Sequence, residues 1–245
     1  MSVWPLVSRV GESALLMPCA LVVFAWLQSG RAPHDRDNAM RWALTFGGAV
    51  ALVVASKLAF MGWGIGSRAF DFTGISGHST MAAAVLPVLA RLLVPERHRV
   101  MAVVAVAVSV AVAIVVGVSR LALEVHSPAE IVAGLALGFG ASASFLVWSA
   151  RPLRAAPRVV AGVVLLLALA APHPSVSLPT HGMLERIASH LAGREEPYRR
   201  GEWHDGLGGH GRHEARQGHA AALTGDAARC VRHQTDPPAR QHDDT

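Results

Sequence analysis

Charged side chains are scarce in this chain: Asp, Glu, Lys and Arg together make up 16% of it, against 52% hydrophobic residues. They are nearly missing from a series of long apolar runs, which excludes an ordinary soluble domain. The same scarcity argues against a transporter or channel, whose path needs ionisable groups within the spans, whereas here they gather at the ends. Cysteine is rarer still. Cys19 falls inside an apolar run and Cys230 in the far tail, so no disulfide framework is expected. Aromatic residues reach only 6% and form no stacking platform, so the net charge of +5 carries no argument for nucleic acid. Gly62, Gly64 and Gly66 lack the flanking strand of a nucleotide-binding fingerprint and read as a flexible turn.

What is abundant is apolar length. A helix needs roughly 17 to 25 residues to cross a hydrocarbon core of about 30 Å. Runs at 13–28, 42–63, 79–94, 100–118 and 129–148 approach or meet that need, and a weaker sixth starts near Val159, meets Pro172 and draws on Val176 and Leu178. The valine-rich runs are too long for strands, and in lipid only helices satisfy every backbone amide within such a run. The expected fold is all-α, a polytopic transmembrane bundle of about six helices over residues 1–178. The first run lacks a small-residue cleavage site near Gln28 to Arg31 and is expected to persist as a span rather than act as a signal peptide.

Alternating loops place Arg31, Arg36, Arg41, Arg91, Arg97, Arg99, Arg151, Arg154 and Arg158 on one side and only Arg9, Arg68 and Arg120 on the other. The positive-inside rule makes the first side cytoplasmic and puts both termini outside. Residues 179–194 include Met183, Leu184, Ile187 and Leu191 at helical spacing, an amphipathic helix that rests on the membrane surface or packs on the bundle. Residues 195–245 read as a disordered polar tail, in which the six histidines from His204 to His242 have no regular ligand spacing.

The chemistry-bearing residues lie at the outer ends of the spans. Ser76-Gly77-His78 stands directly ahead of an apolar helix, whose unpaired amides and dipole make a seat for phosphate, with His78 beside it as a proton donor. Between the fourth and fifth runs come Ser119, Arg120 and His126, with Glu130 at the start of the fifth. Arg120 presents a planar fork matched to phosphate oxygens, and His126 an imidazole able to attack phosphorus. Glu130 has two readings, as the carboxylate that orients His126 or as the third residue of a capping box begun by Ser127 and Pro128. Lys57, near the outer end of the second run, is either a phosphate ligand or a snorkelling cation. Arg68 reads as a site residue or an exposed loop arginine, and Asp71 as a solvated loop carboxylate or a tuner of a histidine.

Together these stretches resemble the PAP2 family of phosphatases, whose motifs are written Lys-x6-Arg-Pro, Pro-Ser-Gly-His and Ser-Arg-x5-His-x3-Asp. Ser76, Gly77 and His78 match the second; Ser119, Arg120 and His126 match the third. The resemblance covers residues 57–134. Ile75 stands for the family's proline and Glu130 for its aspartate, while the first motif offers Lys57 but Gly64 where the arginine is due, with Arg68 as the next arginine. The resemblance implies that His126 attacks phosphorus and becomes phosphohistidine, that His78 protonates the leaving group, that Glu130 orients His126, and that Lys57, Arg68, Arg120 and the Ser76 and Gly77 amides bind phosphate. It implies no metal and no other cofactor. The expected function is hydrolysis of a lipid phosphate or diphosphate at the outer face of a bacterial-type plasma membrane, with the bilayer and that lipid as partners. The alternatives are an inactive lipid-binding relative or a transporter.

Overall fold

The structure is a computed structural model that describes residues 3–30, 33–95, 97–149, 153, 156 and 180–201. The chain divides into two compact units, Met1–Tyr198 and Arg199–Thr245, and the helices belong to the first. Among the described residues there are seven α-helices: α1 (Trp4–Val10), α2 (Ser13–Gln28), α3 (Pro33–Trp63), α4 (Gly77–Leu93), α5 (Arg99–Ala122), α6 (Pro128–Trp148) and α7 (Thr180–Ala192). A short 3-10 turn, Arg68–Phe70, and an isolated bridge between Ser67 and Phe72 shape the loop before α4. The expected sixth span and the tail histidines lie outside the described residues.

Four segments are long and apolar enough to cross a membrane, namely Trp4–Gln28, His34–Trp63, Arg99–Ala122 and Pro128–Trp148, and they mark a membrane protein. Helix α3 starts nine residues ahead of the apolar run expected at 42, because its polar first turns are helical too. Pro33 suits a first helical position and Asp35 the positive end of the dipole. At 31 residues α3 is about 46 Å long, so it outruns the hydrocarbon core. The valines Val100, Val103, Val104 and Val108 of α5 are exposed, a contiguous apolar face suited to lipid rather than water.

Helix α4 is the centre of the bundle. Its 17 residues span only about 25 Å, short for a lipid-facing span, but most of them are buried against α5 and α6. The closeness of α4 and α6 is set by glycine: a Cβ on Gly134 would lie 2.7 Å from the Ser76 carbonyl oxygen, and one on Gly138 2.4 Å from that of Thr80. Ser142 extends the stripe by donating from Oγ to the Ala83 carbonyl at 3.0 Å. Small residues four apart let two backbones touch, which is how helices associate where lipid removes the hydrophobic drive. At the opposite end Trp42 stacks on Phe46, meets Phe145 edge-on, and donates from Nε1 to the Ala20 carbonyl.

Helix α7 packs on the C-terminal part of α3, where Gly62 faces the Ala188 carbonyl and the Ala192 methyl. Its other face leaves Met183, Ile187 and Leu191 exposed. Beyond it, the Tyr198 amide donates to the Met61 carbonyl at 2.8 Å, so the chain is held against α3 as far as Tyr198.

Candidate active site

The site lies where the C-terminal part of α3, the start of α4, the end of α5 and the start of α6 meet. Contact between α4 and α6 brings their first turns together, and the Ser76 amide donates to the Glu130 carbonyl at 3.1 Å. Ser76 is the N-cap of α4 but makes no side-chain cap bond; its hydroxyl instead accepts from Ser79 Oγ at 3.1 Å. The Ser76 amide, expected from the sequence to bind phosphate, is thus already used by the Glu130 carbonyl, whereas the amides of Gly77 and His78 are not taken by a capping side chain, which leaves donors and the positive dipole end at the start of α4.

Glu130 is fully buried. Its Oε1 accepts from the Thr73 amide at 2.7 Å and from Thr73 Oγ1 at 2.6 Å. Its Oε2 lies 2.6 Å from His126 Nδ1 and accepts from the Ser127 amide at 3.3 Å. Ser127 Oγ in turn accepts from the Glu130 amide, completing a capping box. Glu130 thus makes the capping contact and the histidine contact at once, because a carboxylate has enough lone pairs to cap the helix with one oxygen while the same group reaches a histidine one turn earlier.

His126 sits in the tight turn between α5 and α6. Glu124 adopts a left-handed conformation at φ 55°, and the Val125 amide returns to the Arg120 carbonyl, so the chain doubles back within a few residues. That reversal brings His126 to the same end as Arg120. Packing joins the rest: the Ser76 amide on the Glu130 carbonyl sets the His78 turn beside that of Glu130, Gly74 lies against Lys57, and Gly11 lies against His78 while Ser8, three residues earlier, meets Arg120.

The loop before α4 ties this cluster to α3. The Ile75 amide donates to Ser56 Oγ at 3.0 Å, and Gly74, at φ 147°, passes so close that a Cβ there would lie 3.1 Å from Lys57 Cγ. Only glycine meets both demands. Arg68 is exposed in the 3-10 turn, and among the described residues no hydrogen bond or ion pair links it to the cluster. Asp71 takes the left-handed conformation that closes this turn.

Several participants carry no motif. Thr73 holds Glu130 from 57 residues away. Ser8 of α1 accepts from Arg120 Nη1, and the backbone at Gly11 packs against both Val116 and His78. Such partners are set by the fold rather than by local spacing, so no short pattern announces them.

The apolar bundle is that of a membrane protein, and it gathers two histidines, two cations and an open helix start at one end. Residues 62–154 match the PAP2 superfamily. The chain is 38% identical over 205 residues, 82% of its length and 97% of the relative's, to an uncharacterized 22.5 kDa protein in the cps region of Klebsiella pneumoniae. No solved structure matches it. The chain belongs to the PAP2 superfamily, which gives it a function of phosphatase type. The matched stretch holds His78, Arg120, His126 and Glu130 and starts after Lys57.

Proposed function

We propose that this protein is a membrane-integral hydrolase of lipid phosphates or diphosphates that works through a phosphohistidine on the extracytoplasmic face. The observation that carries the reading is the 2.6 Å contact between His126 Nδ1 and the buried Glu130 carboxylate. A carboxylate at Nδ1 fixes the proton there and leaves the Nε2 lone pair as nucleophile.

In this mechanism Nε2 of His126 attacks phosphorus as the bond to the leaving oxygen breaks, and protonated His78 delivers its proton to that oxygen. A phosphate dianion bound among the cations supplies the countercharge for a protonated His78. Lys57, Arg120 and the first-turn amides of α4 stabilise charge on the equatorial oxygens, the main demand of phosphoryl transfer. Water then attacks the phosphohistidine, neutral His78 takes its proton, and phosphate leaves with both imidazoles restored.

The test is phosphate release by the protein in detergent from phosphatidate, phosphatidylglycerol phosphate, a polyprenyl diphosphate and a soluble phosphomonoester. Faster release from the lipids, lost in His126→Ala, is expected; preference for the soluble ester overturns the lipid assignment. The exposed position of Arg68 favours a second reading, a lipid-phosphate-binding relative without turnover, which binding without release would select.

A further inference from the structure

Helix α1 is absent from every motif that points to the site, yet it reaches the site. It packs on α5, and its one buried residue is a serine: Ser8, 5% exposed, accepts a hydrogen bond from Arg120 Nη1 across 112 positions of sequence. The turn that follows α1 runs through Gly11 and Glu12. At Gly11 the same turn presses so closely on Val116 Cγ1 that a Cβ there would lie 2.5 Å away, and 3.2 Å from the His78 carbonyl oxygen. Ser8 thus meets Arg120 from an element packed close to the site.

A guanidinium has two distinct edges able to hold oxygens in pairs, one formed by the two terminal nitrogens and one by Nε with Nη2. Ser8 occupies Nη1. Arg120 Nε is buried and has no hydrogen-bond partner among the described residues. A buried donor without an acceptor is costly, and it is tolerated where a ligand completes it. We propose that Ser8 is a positioning residue that holds Arg120 so that its Nε edge receives two oxygens of a phosphoryl group. Ser8 does not touch the substrate. It fixes the rotation of the guanidinium, and the bidentate bond then forms without a further ordering cost.

The inference rests on the reading of this cluster as a phosphoryl site, and the probe is orthovanadate, a tetrahedral oxyanion that mimics the transferred group. Its binding to the full chain in detergent is measured by calorimetry for wild type, Ser8→Ala, Ser8→Thr, Arg120→Lys and the Ser8→Ala/Arg120→Lys pair, with phosphate release followed in parallel. Hydrogen bonds to charged groups set the scale, so Ser8→Ala should weaken orthovanadate by about 10- to 100-fold and lower kcat more than it raises KM. Ser8→Thr should restore binding, because the hydroxyl remains. The pair should bind no worse than Arg120→Lys alone, since Ser8 acts through the guanidinium. Orthovanadate binding by Ser8→Ala equal to wild type overturns the inference and leaves the phosphatase reading standing, as does full additivity in the pair. A wild-type chain that neither binds orthovanadate nor releases phosphate overturns both.

Discussion

Glu130 illustrates how much chemistry a single carboxylate carries when every lone pair is used. It caps α6 through the Ser127 amide, takes both donors of Thr73, and holds His126 Nδ1. Replacing it by glutamine keeps the size but sets an amide NH2 or a neutral oxygen against Nδ1, so the imidazole loses its fixed tautomer. Glu130→Gln should lower kcat by about 10²- to 10⁴-fold with little change in KM, the range seen when the partner of a catalytic or metal-bound histidine is neutralised. Glu130→Asp keeps the charge and should lose less; steady-state kinetics on both variants decide it. At this scale the sequence was informative where residues share a helix start or a tight turn, as His126 and Glu130 do. It was silent on Thr73 and Ser8, whose partners are 57 and 112 positions away. For Arg68, charge alone left two readings, and the structure finds the side chain exposed.

Among the elements, the α4 to α6 contact determines whether the two histidines meet. Gly134 and Gly138 lie on one face of α6 against backbone carbonyls of α4, and neither site has room for a side chain. Gly138→Leu should force the helices apart at a cost of about 1–3 kcal/mol or more, seen as a lower unfolding midpoint in detergent together with lost phosphate release. Gly140, two residues on and so on the opposite face of α6, with nothing within 4 Å of its Cβ position, should accept alanine with little effect on either. The apolar runs made α2 and α6 legible almost to the residue, since a lipid-spanning helix advertises itself by length. Helix α1 escaped because seven residues are too few for any hydropathy window. The polar start of α3 escaped because only its later turns are apolar.

At the scale of the whole molecule, the site gathers at the end of the bundle that arginine counting assigns to the outside. Ser67 belongs to the loop at that end, and Arg97 to the exposed turn between α4 and α5 at the other. In a chain with Cys19 and Cys230 replaced by alanine, cysteine at Ser67 should react with an impermeant maleimide added to intact cells, while cysteine at Arg97 should react only after the membrane is opened. Reaction of both from one side would overturn the bundle's orientation and its membrane crossing together. The all-helical class followed from apolar length alone, whereas the central, buried place of the short α4 did not, because burial by neighbouring helices leaves no mark in the length of a run.

The central claim is that His126 carries the phosphoryl group, and trapping the intermediate tests it most directly. The substrate released fastest from the lipid panel, labelled with ³²P in the transferred phosphate, is mixed with the protein and quenched in alkali. The account predicts an alkali-stable, acid-labile label on the peptide that contains His126, present in wild type, absent in His126→Ala, and longer-lived in His78→Ala, where water lacks its base. Phosphate release by His126→Ala at the wild-type rate, or turnover by wild type with the label on any other residue, would contradict it.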